Sequence, residues 1–142
     1  MSIWKTTATP ALINKGAHGN MMEHLGIAIT EVGNDHLTGT MPVDHRTIQP
    51  MGLLHGGASV VLAETLGSIA GSLACNGADE YVVGLEINAN HIKSARSGVV
   101  TGIAKHIHVG GRTQVWEIRI TNDANELVCI SRITLAVIQK KK

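Results

Sequence analysis

The chain has 142 residues, 44% hydrophobic and 16% charged, with a net charge of +1. That is one domain's length with enough apolar material for a single core, and it excludes a disordered chain. The near-neutral balance lacks the basic face that nucleic acid needs. Trp4, Tyr81 and Trp116 with no Phe leave no platform for stacked bases. Only the Gln139–Lys142 tail is locally basic.

Cys75 and Cys129 are far apart and form no CxxC, so neither a metal knuckle nor a redox pair is expected, and free thiols suit a reducing compartment. The N-terminal residues lack the apolar stretch of a secretory signal, and no segment reads as long enough to span a bilayer. These features point to a cytoplasmic protein with no membrane or nucleic-acid partner.

With no internal repeat or linker, residues 1–142 read as one domain. In chain order, residues 10–26 suggest short helical pieces broken by glycines. Two candidate strands follow, IAITEVG and HLTGTMPV, separated by the turn residues Asn34 and Asp35. From about His55 to Leu73 the chain is apolar or small on all sides, has no proline and is too long for a strand. That predicts a buried helix. After Asn76 and Gly77, the segments YVVGLEINANHI, VVTGIAKHIHV, TQVWEIRIT and LVCISRITLAVI are rich in Val, Ile and Thr, and turn residues divide them. In TQVWEIRIT, Trp116, Ile118 and Ile120 share one face of a half-buried strand. The turns at Gly110-Gly111 and 123–125 suit antiparallel hairpins. The plan is α+β, an antiparallel sheet wrapped around one long helix.

The helix carries the chemistry. His55-Gly56-Gly57 opens it, where unpaired N–H groups and the positive dipole end favour an oxyanion, and glycine lets a ligand approach the backbone. Glu64 lies mid-helix in an otherwise apolar run, with Ser68 on the same face roughly 6 Å further along the axis. The residues alone allow a plain loop-to-helix junction at Gly56 and a structural ion pair at Glu64. Gly56 and Glu64 stand roughly 12 Å apart along the axis, so a single site using both needs two chains. His91 ends a strand. His106 and His108 alternate along one strand face without a third ligand, so no metal is expected. Gly110-Gly111-Arg112 reads as a hairpin turn or a phosphate contact.

The stretch PVDHRTIQPMGLLHGGASVVLAET (42–65), followed by VGLEINANH (83–91) and then by GGR (110–112) and TQVW (113–116), strongly resembles the hotdog-fold acyl-CoA thioesterases. It is most similar to the 4-hydroxybenzoyl-CoA thioesterase branch that carries its carboxylate on the helix. The resemblance covers essentially the whole chain and implies a hotdog dimer, usually paired into a homotetramer. It implies Glu64 as catalytic carboxylate assisted by Ser68, with Gln49, His55 and Gly56 supplied by a second chain. Many relatives have Asn and Asp where this chain has Gln49 and Glu64.

It further implies coenzyme A contacts at Val83, at Asn90, His91, Ile92 and Lys93, and at Ile107, His108, Val109, Gly110, Gly111 and Arg112. The implied substrate is an aromatic acyl-CoA, with 1,4-dihydroxy-2-naphthoyl-CoA of menaquinone synthesis ahead of hydroxybenzoyl and aliphatic esters. Carrier-protein thioesters are an alternative. Coenzyme A is part of the substrate and no separate cofactor is expected. A hotdog hydratase or dehydratase lacks the HGG at the helix start, and a non-catalytic acyl-CoA sensor would be expected to carry an appended DNA-binding segment.

Overall fold

The computed structural model describes residues 1–142. Two short helices, α1 (Pro10–Lys15) and α2 (Met21–Leu25), precede strands β1 (Ala28–Val32) and β2 (His36–Pro42). The long helix α3 (Gly56–Ala74) is followed by β3 (Glu80–His91), β4 (Val99–Val109), β5 (Thr113–Thr121) and β6 (Leu127–Gln139). The six strands form one antiparallel sheet in the order β1-β2-β4-β5-β6-β3, curled around α3.

The core lies between that sheet and one side of α3. Leu62 and Leu66 of the helix meet Ile118, Ile120, Ile133 and Leu135 of the sheet, all fully buried. Each such side chain contributes roughly 1.5–3 kcal/mol on burial. In β5 the alternation gives Gln114, Trp116, Ile118 and Ile120 inside, and Arg119 out.

Buried Gln114 accepts the Trp116 indole N–H at 2.9 Å and donates to the Gly71 carbonyl at 3.3 Å, tying sheet to helix. Trp4 closes the N-terminal side of the core. Its ring stacks on Trp116 at 6.0 Å and 9°, and its indole N–H donates to the Gly33 carbonyl at 2.6 Å.

Three expectations need correction. The helix is not buried all round: Val60, Val61, Glu64, Thr65, Ser68 and Ile69 are only half-buried, so one side lacks a neighbour within the chain. At 19 residues with mean hydropathy 1.3, α3 is long and apolar enough to cross a membrane, contrary to the reading of the sequence. It is nevertheless the core helix, more than half buried inside the sheet. His106 and His108 do not share a face, because β4 bulges between them. His106 pairs with Trp116 and His108 with Val115, neighbours that point to opposite sides of the sheet.

The two sheet edges are treated differently. On β1 the Asn14 side chain covers the edge, accepting from the Ile29 N–H and donating to its carbonyl, both at 2.8 Å. No such cover exists on β3, which is 12 residues long and exposes Tyr81, Val83 and Leu85. A long, bare, apolar edge is a template for pairing with another strand.

Candidate active site

Thr47 builds the approach to α3: its hydroxyl donates to the Pro42 carbonyl at 2.7 Å and its own carbonyl accepts the His55 N–H at 2.8 Å. Gln49 sits in the tight turn that follows, closed by Gly52 N–H donating to the Gln49 carbonyl at 2.9 Å. Its side-chain oxygen accepts the Met51 N–H, leaving the amide NH₂ without a partner in the chain.

His55 is the N-cap of α3. Its Nδ1 accepts the Gly57 N–H at 2.8 Å, so the free Nε2 of the neutral ring carries the proton. Ala58 and Ser59 donate to the His55 carbonyl. The Gly56 N–H alone in this first turn has no acceptor. It is a fixed donor at the positive end of a 19-residue helix.

Gly56 is held against a side chain rather than open space. A Cβ there would lie 2.8 Å from His91 Nε2, so the His91 ring packs directly on the glycine. Gln49, Gly56, Ser59, His91, Ile92 and Lys93 share one open cleft of 270 Å³. The buried hydroxyl of Ser59, one turn into the helix, belongs to this cleft although the sequence reading did not single it out.

Glu64 lies elsewhere. It opens on a separate depression with Gly84, Leu85, Glu86 and Ile87. A Cβ on Gly84 would stand 2.9 Å from Glu64 Oε1, so the carboxylate rests on the one position of β3 without a side chain. Glu64 has no hydrogen bond or salt bridge within the chain, which removes the ion-pair reading. Burial pushes its carboxyl above the ordinary carboxylate value. Ser68 is half-buried on the same face, with no hydrogen bond between its hydroxyl and the carboxylate.

The residues tied to coenzyme A by resemblance divide between the two ends of β3. His91, Ile92 and Lys93 join Gly56, with Lys93 also ion-paired to Glu126. Val83 is exposed near the Glu64 end, and its β6 partner Ala136 also pairs with Thr113, next to the Gly110–Arg112 turn. His108, Val109, Gly111 and Arg112 are exposed along that hairpin, and Gly110 is half-buried within it. Asn90 and Ile107 share a depression with Glu117 and Arg132. No group of three or more His, Cys, Asp or Glu side chains is placed to hold a metal ion.

A helix wrapped in a six-stranded antiparallel sheet, with a free N–H at its start and a carboxylate at its middle, is the hotdog architecture of thioester hydrolases. The chain belongs to the thioesterase superfamily, whose family model matches residues 51–129. It is 53% identical to a 1,4-dihydroxy-2-naphthoyl-CoA hydrolase of Escherichia coli over 96% of this chain and 99% of that protein. It is 47% identical to a proofreading thioesterase of Cronobacter sakazakii, covering 96% and 98% respectively. The crystal structure of a thioesterase from Haemophilus influenzae superposes with a TM-score of 0.94 at 51% identity, covering 96% of this chain and 95% of that one.

Proposed function

We propose that this enzyme hydrolyses aromatic acyl-CoA thioesters, 1,4-dihydroxy-2-naphthoyl-CoA foremost, to the free acid and coenzyme A. The observation that carries the reading is the unpaired Glu64 carboxylate on an open strand edge, matched by the unpaired Gly56 N–H at the start of the same helix. The E. coli relative's name supports the choice of acyl group, and a role in menaquinone synthesis in the cytoplasm is part of the same proposal.

Two chains form each site, because Glu64 and Gly56 line different depressions of one chain. The bare edge of β3 and the half-buried side of α3 support a dimer. Exposed Ile103 and Ile107 on β4 support pairing of dimers into a tetramer. The partner contributes Gln49, His55 and Gly56.

In the reaction, the thioester oxygen points at the Gly56 N–H, which stabilises the tetrahedral oxyanion. One such donor is worth roughly 3 kcal/mol of barrier. Gln49 NH₂ and His55 Nε2–H orient the thioester or the water. Glu64 either takes a proton from water as the hydroxyl adds to the carbonyl, or adds directly to give a mixed anhydride that water then opens. In both routes the C–S bond breaks and coenzyme A leaves as the thiol, with no further cofactor.

A steady-state panel of aryl-CoA, aliphatic acyl-CoA and carrier-protein thioesters tests the substrate class. Aromatic CoA esters should have the highest kcat/KM. A preference for aliphatic or carrier-protein esters overturns the assignment. Single turnover in ¹⁸O water separates the two routes, since label enters Glu64 only if the carboxylate is the nucleophile.

A further inference from the structure

We propose that Gly84 is the positioning residue of the Glu64 carboxylate: the bare backbone of β3 leaves a space that a glutamate fills to its full length, and contact with that backbone sets where the carboxylate stands. The proposal rests on the catalytic role proposed for Glu64.

Nothing else in the chain holds this group. Glu64 makes no hydrogen bond or salt bridge, and a Cβ on Gly84 would lie 2.9 Å from its Oε1 and 3.9 Å from its Cδ. Of the residues lining the same depression, Glu86 alone also titrates, and its carboxylate accepts from the Asn88 side-chain amide at 3.1 and 3.3 Å. Leu85 and Ile87 complete the lining with apolar side chains. Van der Waals contact with the strand is what remains to fix Oε1.

A bulge turns Gly84 toward the helix. Val82 faces α3, its Cγ2 standing 3.4 Å from where a Cβ on Gly71 would be, and Gly84 faces the same way two residues on. His91 also faces α3, packed on Gly56. Residues 84 and 91 are an odd number of positions apart, which would put them on opposite faces of a regular strand. The bulge between Gly84 and Glu86 supplies the extra residue, so even-numbered positions face the helix before it and Ile87, Ala89 and His91 after it. One strand thereby brings a glycine to Glu64 and an imidazole to Gly56.

A Cβ added at Gly84 should leave the fold alone and move the carboxylate. The Gly84 φ lies outside the left-handed region, so alanine takes this backbone without strain, and it loses less conformational freedom in a strand than glycine does. The obstructing atom is the far end of a flexible side chain, so it yields before the strand. Ordinary contact begins at 3.4 Å, so Oε1 must retreat by the 0.5 Å between 2.9 and 3.4. A misplacement of about 1 Å at a reacting centre can cost roughly a hundredfold, which makes the expected loss in kcat about tenfold.

Steady-state hydrolysis of an aryl-CoA ester by the full-length Gly84→Ala protein, alongside a melting curve, tests the assignment. The rate constant kcat should fall about tenfold while the melting temperature does not fall. The carboxylate leaves the strand that buries it, so the acid limb of kcat/KM should move down toward the ordinary value of 4.5. Glu64→Asp withdraws the carboxylate by one C–C bond, about 1.5 Å. In that background adding Gly84→Ala should cost less than about twofold, because the Cβ enters space that the shorter side chain does not use. Wild-type kcat in Gly84→Ala, a lowered melting temperature, a rate loss with an unmoved acid limb, or an equal loss in both backgrounds overturns the proposal. If Glu64→Asp is inactive, the single variant decides. Turnover retained by Glu64→Gln overturns the role of Glu64 itself, and this proposal with it.

Discussion

Gly56→Ala is the sharpest probe of the proposed oxyanion donor because its effect can be worked from the geometry. The added Cβ would lie 2.8 Å from His91 Nε2 and 3.0 Å from Cε1, where ordinary contact begins at 3.4 Å. The ring and the first helical turn must separate by the 0.6 Å between 2.8 and 3.4. The backbone N–H survives, and alanine is the better helix former by up to about 1 kcal/mol, so thermal stability should not fall. A misplacement of about 1 Å at a reacting centre can cost roughly a hundredfold, so a shift near half that size should lower kcat about tenfold. The assay is steady-state hydrolysis of an aryl-CoA ester alongside a melting curve. In a His91→Ala background the ring is gone, and adding Gly56→Ala should then cost little relative to His91→Ala alone. Wild-type kcat in Gly56→Ala would refute the donor assignment, and an equal loss in both backgrounds would refute transmission through the ring.

Glu64→Gln should abolish turnover while raising the melting temperature near pH 7. The Glu64 carboxyl is raised in the folded chain by burial, so the native state binds its proton more tightly than the unfolded chain. Stability therefore declines as pH rises from the ordinary value of 4.5 through the raised one, and the glutamine variant escapes that decline. The stability difference should vanish below pH 4.5, and each kcal/mol recovered should appear as roughly 2–4 °C. On the proposed mechanism the ionised form acts, so the acid limb of kcat/KM for the native enzyme should lie above pH 4.5. Gln114→Leu, remote from both depressions, strands the buried Trp116 indole N–H and removes the donor to Gly71. It should cost about 1–3 kcal/mol in denaturant melts and leave kcat unchanged.

Nearly every element was legible because local chemistry decides it. Runs rich in Val, Ile and Thr, divided by turn residues at Asn34-Asp35, Gly110-Gly111 and 123–125, pointed to the strands, with alternation clear in TQVWEIRIT, and a proline-free run of small and apolar residues pointed to α3. What escaped were features set by neighbours across the sheet. The bulge that separates His106 from His108 exists in relation to Trp116 and Val115 on β5. The platform under Glu64 is Gly84, one residue beyond the Val83 singled out by resemblance. Its signal was present, since a glycine within an apolar strand marks close approach of another group. Ser59 was hidden for the opposite reason: its serine is unremarkable until the turn carrying Gln49 folds over it.

The closure of the core at its N-terminal side has an optical consequence. The chain holds two tryptophans, and both stand in one stack, Trp4 on Trp116. Indole emission thus arises from a single place, where residues near the N-terminus lie against the innermost strand face. Release of Trp4 would bare the ring of Trp116 and change the dipole surroundings of both emitters together. The protein carries its own reporter for the undocking of that segment, and its signal originates away from the depressions that hold Gly56 and Glu64.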